Sequence, residues 1–342
     1  MRVLRRVALF AVLGCSVSGC GGATGSSGAP TPGGGPSPMP GALAYLTEVN
    51  GNNETQATNI LGLRLSDVLN HQPNGPTQVL QSPLVSNARS IALDAAYNTY
   101  VADQVNLAVY EFSAGSTGSD VYPIRTITST GTFVEPRGVA VDRGGNIYVT
   151  DDLAGASGLG AIDEFSPSQS GNVQPVRAIF GSNSGLAKPL GIAVDGAGNI
   201  YAANSASSTI AVFNQSSSTP ARIVSGPSTG LGTPVGVAVD SAGDVYALNQ
   251  ATNSVTVYSP SASGNAAPIR TIAGNLTSIS SPQGIALDSS GNVWVTNLYG
   301  GAPGSVTVFA AGSNGNVAPM ATYTASNSTY AFHPSGIAIV AP

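Results

Sequence analysis

A sixteen-residue pattern written five times constrains this chain more than any other feature. It reads ARSIALDAAYNTYVAD (88–103), PRGVAVDRGGNIYVTD (136–151), PLGIAVDGAGNIYAAN (189–204), PVGVAVDSAGDVYALN (234–249) and PQGIALDSSGNVWVTN (282–297). A sixth copy, PSGIAIVAP (334–342), begins at the C-terminus and stops. Ser90, Gly138, Gly191, Gly236, Gly284 and Gly336 hold the same place in each copy, so the steps are 48, 53, 45, 48 and 52 residues. A chain built this way folds as a series of like modules, each too small to bury its own faces.

Each module reads as four strands, A to D. The run G-[IV]-A-[VL]-D is strand A. A turn follows, in which Gly-Asn or Gly-Asp provides the left-handed position a tight hairpin needs. Strand B is [IV]-[YW]-[VA]. Strand C is an alternating run: Leu107 to Phe112, Ala161 to Phe165, Thr209 to Phe213, Ser254 to Tyr258 and Ser305 to Phe309. Strand D is short: Pro123 to Thr126, Val176 to Phe180, Ala221 to Val224, Pro268 to Ile272 and Pro319 to Tyr323. Four strands per unit at periods of about 40–50 residues predict an all-β, six-bladed β-propeller. The last copy contributes only a strand A. Residues 43–82 carry the missing strands, Leu43 to Leu46 as B, Ile60 to Leu65 as C and Gln78 to Gln81 as D. One composite blade stitched from both termini then closes the ring and removes the free sheet edge. Ala92, Ala140, Ala193, Ala238, Ala286 and Ala338 recur in strand A. The expectation is that only a methyl fits where blades converge on the axis.

Composition agrees. Charged residues are 8% of the chain against about 25% in ordinary domains, and Gly is 43 of 342 residues. Helix formers are scarce, which argues against a bundle or coiled coil. Lys and Arg total 12, Asp and Glu 17, and the net charge is −5. That balance excludes a nucleic-acid binder, which needs a basic surface.

The N-terminus is an address. Arg2, Arg5 and Arg6 precede an apolar run from Val7 to Leu13, too short to span a bilayer and the right length for a signal-peptide core. Val17-Ser18-Gly19-Cys20 resembles a bacterial lipobox, with Val12-Leu13-Gly14-Cys15 a weaker competitor. By that resemblance residues 1–19 are a lipoprotein signal peptide and Cys20 becomes the lipidated first residue. An ordinary secretory signal is the other reading. Cys15 and Cys20 are the chain's two cysteines, so the mature protein has no intramolecular disulfide and no thiolate metal site. Residues 20–42 comprise the anchor and a Gly/Pro/Ser tether with a reach of about 25 Å. The expected location is the cell envelope, and the outer membrane in a Gram-negative host, because no Asp follows Cys20.

The pattern P-x-G-[IV]-A-[VL]-D-x-x-G-N-[IV]-[YW]-V-[TA]-[DN] resembles the NHL repeat. It is also similar to repeats of gluconolactonase-like and virginiamycin B lyase propellers. The resemblance covers residues 43–342. It implies a propeller whose site surrounds the mouth of the central channel, on the face of the D–A and B–C connections. There the residues ending strand B are Glu48, Asp103, Asp151 (with Asp152), Asn204, Asn249 and Asn297. Before strand A the same rim carries Arg89, Arg137, Leu190, Val235, Gln283 and Ser335.

Three readings of this rim stand side by side. The Asp and Asn side chains turn the backbone by Asx-type bonds, with Arg89 and Arg137 neutralising Asp103 and Asp151. Alternatively the rim is a hydrogen-bonding cup for a polar ligand, or Glu48, Asp103 and Asp151 hold Ca²⁺ or Mg²⁺. Asp94, Asp142, Asp195, Asp240 and Asp288, on the opposite face, read as turn-forming residues, and Trp294 as packing.

Catalytic signatures are sparse. His71 and His333 are the two histidines and are expected on opposite faces, which excludes the His-rich zinc site of amidating lyases with this repeat. The Asn that gluconolactonase-like propellers place before the strand A Gly is missing, and His333 has no Glu beside it in sequence. The reading is therefore a non-enzymatic, lipid-anchored binding or scaffolding propeller without a cofactor. Its partners are a membrane, through the lipid, and a protein or polysaccharide ligand. The alternative is a metal-assisted lyase or lactonase using Glu48, Asp103 and Asp151.

Overall fold

The computed structural model describes residues 43–48, 59–70, 75–154, 159–298, 304–324 and 332–340. They form six four-stranded antiparallel sheets, and the six A strands contact one another in a closed ring. The composite blade is blade 1, with strand A Pro334–Ile339, B Leu43–Glu48, C Asn59–Arg64 and D Gln78–Gln81. Its termini pair in register, Tyr45 opposite Ala338 and Leu46 opposite Ile337. Blades 2 to 6 follow in chain order, their A strands beginning at Ala88, Pro136, Pro189, Pro234 and Pro282. Cys20, the tether and His71 lie outside the described residues. Among the described residues no helix is long and apolar enough to cross a membrane.

The ring has no single core. Its buried side chains fall into six clusters, one at each junction between neighbouring blades. Each blade contributes one face to each of two clusters, so no blade is stable without both neighbours.

The closest approach at the axis is not at the repeated Ala. A side chain at Gly138 would meet the Leu190 carbonyl at 2.4 Å, at Gly191 the Gly236 Cα at 2.6 Å, and at Gly284 the Ser335 carbonyl at 2.5 Å. In blades 3, 4 and 6 the Gly of strand A is therefore where successive A strands abut and even a methyl overpacks, whereas in blade 2 Ser90 is accommodated and its hydroxyl accepts the Val139 amide of the next A strand. The Ala two residues later lies opposite the aromatic residue of strand B, as in Ala140–Tyr148 and Ala286–Trp294. A small residue there leaves room for the ring.

The A–B hairpin is organised by its Asp. Asp142 Oδ1 accepts the amides of Gly144 (2.8 Å) and Asn146 (2.9 Å), while Oδ2 accepts Asn146 Nδ2 and the Tyr148 hydroxyl. Asp94, Asp195 and Asp288 do the same, with Trp294 Nε1 replacing the Tyr hydroxyl in blade 6. Burial works against the Asp195 charge, but the bonds from Asn199, Tyr201 and Ala197 outweigh it and hold its pKa below the ordinary value.

A second repeated device latches blades at the rim. The C–D loop of one blade pairs in parallel with strand D of the blade before it. Gly264 N–H donates to Ile223 O (2.7 Å) and Gly264 O accepts from Ser225 N–H (2.8 Å). Gly118 and Gly315 make the same pair, and Gly171–Asn172 pairs with Ile127–Thr128. These glycines have φ of +56° to +116°, which other residues rarely adopt. The following Asn caps the next loop: Asn172, Asn265 and Asn316 accept the amides of Thr130, Ser228 and Leu276. At the junction of blades 6 and 1 the short helix Leu65–Leu69 packs in the same place.

The junction of blades 3 and 4 lacks this latch among the described residues. Eight residues separate Phe213 from Arg222, whereas eleven separate Phe165 from Arg177, Tyr258 from Arg270 and Phe309 from Ala321. The three absent residues align with Ser-Gly-Asn. Inserting Ser-Gly-Asn after Ser217 is expected to restore the pairing along Arg177–Phe180 and to stabilise the fold by about 1–2 kcal/mol, two net hydrogen bonds. A urea denaturation midpoint that does not rise in the folded insertion variant rejects the latch.

Candidate functional site

The channel mouth is built by a bulge. In blades 2, 3, 5 and 6 one extra residue sits between the first residue of strand A and the Gly or Ser two later: Arg89, Arg137, Val235 and Gln283. Leu190 and Ser335 lie in the matching irregular stretches of blades 4 and 1. A bulge turns its extra side chain out of the ladder, and all six of these residues line the mouth.

The next aliphatic of each strand A, namely Ile91, Val139, Ile192, Val237, Ile285 and Ile337, forms the apolar wall. The cup between wall and rim has a volume of about 400 Å³. Thr150 and Thr296, on strand B, bind the wall together. Each hydroxyl accepts an amide of its own strand A, from Gly138 or Gly284, and donates to the next blade's carbonyl, at Leu190 or Ser335.

The residues that end strand B lie one layer behind this cup. Asp103, Asp151, Asn204, Asn249 and Asn297 are fully buried. Asp103 accepts the amides of Ser86 (2.6 Å), Asn87, Val105 and Asn106. Asp151 accepts those of Val134 (2.6 Å), Glu135, Leu153 and Ala154. The three Asn residues each accept one loop amide, from Ala187, Gly232 and Ser280. Glu48 accepts from Asn59 Nδ2 at 2.9 Å and feels the charge of His333; burial raises its pKa.

Among the described residues no three His, Cys, Asp or Glu are grouped to hold a metal. Glu48, Asp103 and Asp151 are thus not gathered at the mouth as a cation site requires. Arg89 and Arg137 do not pair with Asp103 and Asp151 either. Arg89 donates to Gln104 (3.1 Å), and Arg137 to Gln104 (3.0 Å), to Asp152 (3.1 Å) and to Glu135.

The mouth's second tier is the residue after strand B: Asp152, Ser205 and Gln250. Side chains alternate along a strand, so the residue ending it and the one after it face opposite ways. Reading the rim one residue early therefore selects the turn-forming set. Lys188, held by the left-handed backbone (φ +51°) that recurs before the strand A proline at Thr233 and Ser281, completes the charged side. Three cations, Arg89, Arg137 and Lys188, thus face the cup beside one carboxylate, Asp152. Burial raises the Asp152 pKa to about 6, opposed by Arg137 and reinforced by Glu135. The other side, with Gln250, Gln283 and Ser335, is neutral and polar.

These features define a six-bladed β-propeller with a polar, cation-bearing channel mouth. No protein-family model matches the chain, and no curated protein matches it. Solved structures do. A chain from a crystal structure of a nidogen/laminin complex is similar with a TM-score of 0.60 at 17% identity, covering 87% of this chain and 98% of that one. A protein of unknown function from Bacteroides caccae gives 0.60 at 13%, covering 87% and 98%. A putative 6-phosphogluconolactonase from Bacteroides fragilis gives 0.58 at 14%, covering 89% and 99%. At these identities the likeness is one of fold.

Two outcomes follow. Asp103→Ala orphans four loop amides and is expected to destabilise the protein by about 3 kcal/mol or more, measured by chemical denaturation. A loss under 1 kcal/mol, on the order of one bond, contradicts the role of Asp103 in holding the loop. For Asp152 the raised folded pKa means a stability contribution complete below the ordinary value of 3.8 and declining as pH rises towards about 6. Asp152→Asn is expected to lessen the fall of the melting temperature across that window, and an unchanged slope contradicts it.

Proposed function

We propose that this chain is an exported, lipid-anchored binding propeller of the NHL-repeat type, whose channel mouth holds a carboxylate-bearing protein or polysaccharide at the cell envelope. The observation that carries this reading is where the cations sit. The chain has 12 Lys and Arg residues, of which Arg2, Arg5 and Arg6 belong to the leader. Of the nine that remain, Arg89, Arg137 and Lys188 face one cup, in a chain of net charge −5. Clustered cations in a concave, partly desolvated mouth focus field and attract anionic groups. Arg89 and Arg137 carry planar guanidinium groups suited to carboxylates; Arg137 is shared among Asp152, Glu135 and Gln104, so a ligand carboxylate competes with those groups for it, while Lys188 has no ion pair among the described residues. Gln250, Gln283 and Ser335 add donors and acceptors for hydroxyl or amide groups. A propeller of this fold occurs in the nidogen/laminin complex, which supports a protein ligand as one form of partner.

The test is calorimetry on residues 21–342 with polygalacturonate and poly-glutamate, against neutral dextran as control. Binding of an acidic polymer that weakens about tenfold in Arg137→Gln or Lys188→Gln, and weakens with salt, is the expected result. Equal behaviour of dextran and both acidic polymers, or full affinity in both variants, rejects it. For the anchor, Cys20→Ala is expected to move the expressed protein from the membrane to the soluble fraction of a bacterial host. Retention in the membrane fraction rejects lipidation at Cys20.

A further inference from the structure

Blade 3 carries a second cavity, away from the mouth. It lies between the loop that leaves blade 2 and the outer half of blade 3, and its volume is about 350 Å³. Ala161 and Asp163 of strand C (Ala161–Phe165) and Ala178 and Phe180 of strand D (Arg177–Phe180) form one side. Thr132 and Gln174 close the other, the Thr132 hydroxyl donating to Gln174 Oε1 at 3.0 Å.

Asp163 is the anomaly. It is 0% exposed, and neither carboxylate oxygen has a hydrogen-bond partner among the described residues. The strand pairing places Leu61, Tyr110, Ala211, Thr256 and Thr307 at the same position of the other blades, all neutral. In blades 5 and 6 the position is satisfied, because Asn249 and Asn297 donate to Thr256 (3.0 Å) and Thr307 (3.1 Å). In blade 3 the residue in place of those amides is Asp151, which has no donor and whose oxygens already take four loop amides. Burial, with the charge of Asp151, lifts the Asp163 pKa to about 7. A buried carboxylate without a partner is strongly unfavourable, so its presence at the floor of a cavity calls for a ligand that supplies donors.

We propose that this cavity is a binding site for a primary ammonium group on a small apolar body, with Asp163 as the acceptor and Phe180 as the outer wall. The chemistry of the lining selects this ligand. A divalent ion asks for six or more oxygens, whereas among the lining side chains Asp163 is the one carboxylate and Thr132 and Gln174 are bonded to each other. The remaining wall is largely methyl groups, a proline ring and the Phe180 ring, the last 56% exposed at the entrance. An ammonium gains from both a carboxylate and an aromatic face, and a cavity less than half this size accommodates benzene. The site is independent of the channel mouth and of any ligand bound there.

Calorimetry at pH 8 with benzylamine and its neutral isostere benzyl alcohol tests the proposal, on residues 21–342. Benzylamine is expected to bind and to raise the melting temperature, with benzyl alcohol at least about tenfold weaker, the worth of one charge-assisted hydrogen bond. Asp163→Asn is expected to fold, verified by circular dichroism, and to lose that preference. Ala178→Leu, which fills the cavity with the carboxylate intact, is expected to abolish binding of both. Benzyl alcohol equal to benzylamine, unchanged affinity in Asp163→Asn, or no benzylamine binding at all overturns the site. Stabilisation by Ca²⁺ alone that disappears in Asp163→Asn also overturns it, in favour of a metal.

Discussion

Everything in this molecule depends on six A strands meeting around one axis. The abutment of Gly138 on the Leu190 carbonyl and of Gly191 on Gly236 sets the spacing of that ring. Because the core is divided into six layers between blades, burial is complete only when every blade has two neighbours. A linear series of such blades would leave two apolar faces in water, at roughly 25 cal/mol for each Å² of apolar surface. Sharing blade 1 between the termini removes both faces. It also brings Ser335 against blade 2, where its hydroxyl donates to the Arg89 carbonyl at 3.0 Å.

Given that ring, constant and variable positions divide the work. The Asp of the A–B hairpin and the polar residue ending strand B satisfy backbone groups of turns and loops in blade after blade, and the latch glycines add pairing along strand D at four junctions. They repeat because each blade poses the same hydrogen-bonding problem. The bulge residue solves no such problem. It is Arg, Arg, Leu, Val, Gln and Ser in blades 2 to 6 and 1. Freedom at that position is what allows a common scaffold to present one particular mouth, charged on one side and neutral on the other.

The fold was legible to a fine grain. Blade number, strand order and the composite blade are all carried by period-2 patterning and by the truncated sixth copy, features that survive without side-chain geometry. The mouth was legible only in part. Arg89, Arg137 and Asp152 stand in it, while Asp103, Asp151 and the three Asn residues sit behind it, because one residue of offset along a strand reverses the direction of a side chain. Lys188 was invisible because the residue before the strand A proline shares its left-handed backbone with Thr233 and Ser281 but not its side chain, which the repeat leaves free. The repeated Ala was read as the point of closest approach, but spacing along the chain cannot distinguish the Gly that meets a neighbouring strand from the Ala that lies opposite an aromatic ring.

In a repeat protein, a departure from the consensus is informative when it leaves a physical debt. Val235 and Leu190 at the bulge leave none, since an apolar side chain over an apolar wall is satisfied. Asp163 is different in kind: a carboxylate stands where five blades place neutral side chains, next to an acid where three blades place an amide. Both changes fall in blade 3, and so does the strand edge that blade 4's shortened loop leaves without a latch. They lie together on the outer half of one blade, beside one cavity, and this separates that cavity from the mouth, whose residues vary without leaving any buried group unsatisfied by the scaffold except one oxygen of Asp152.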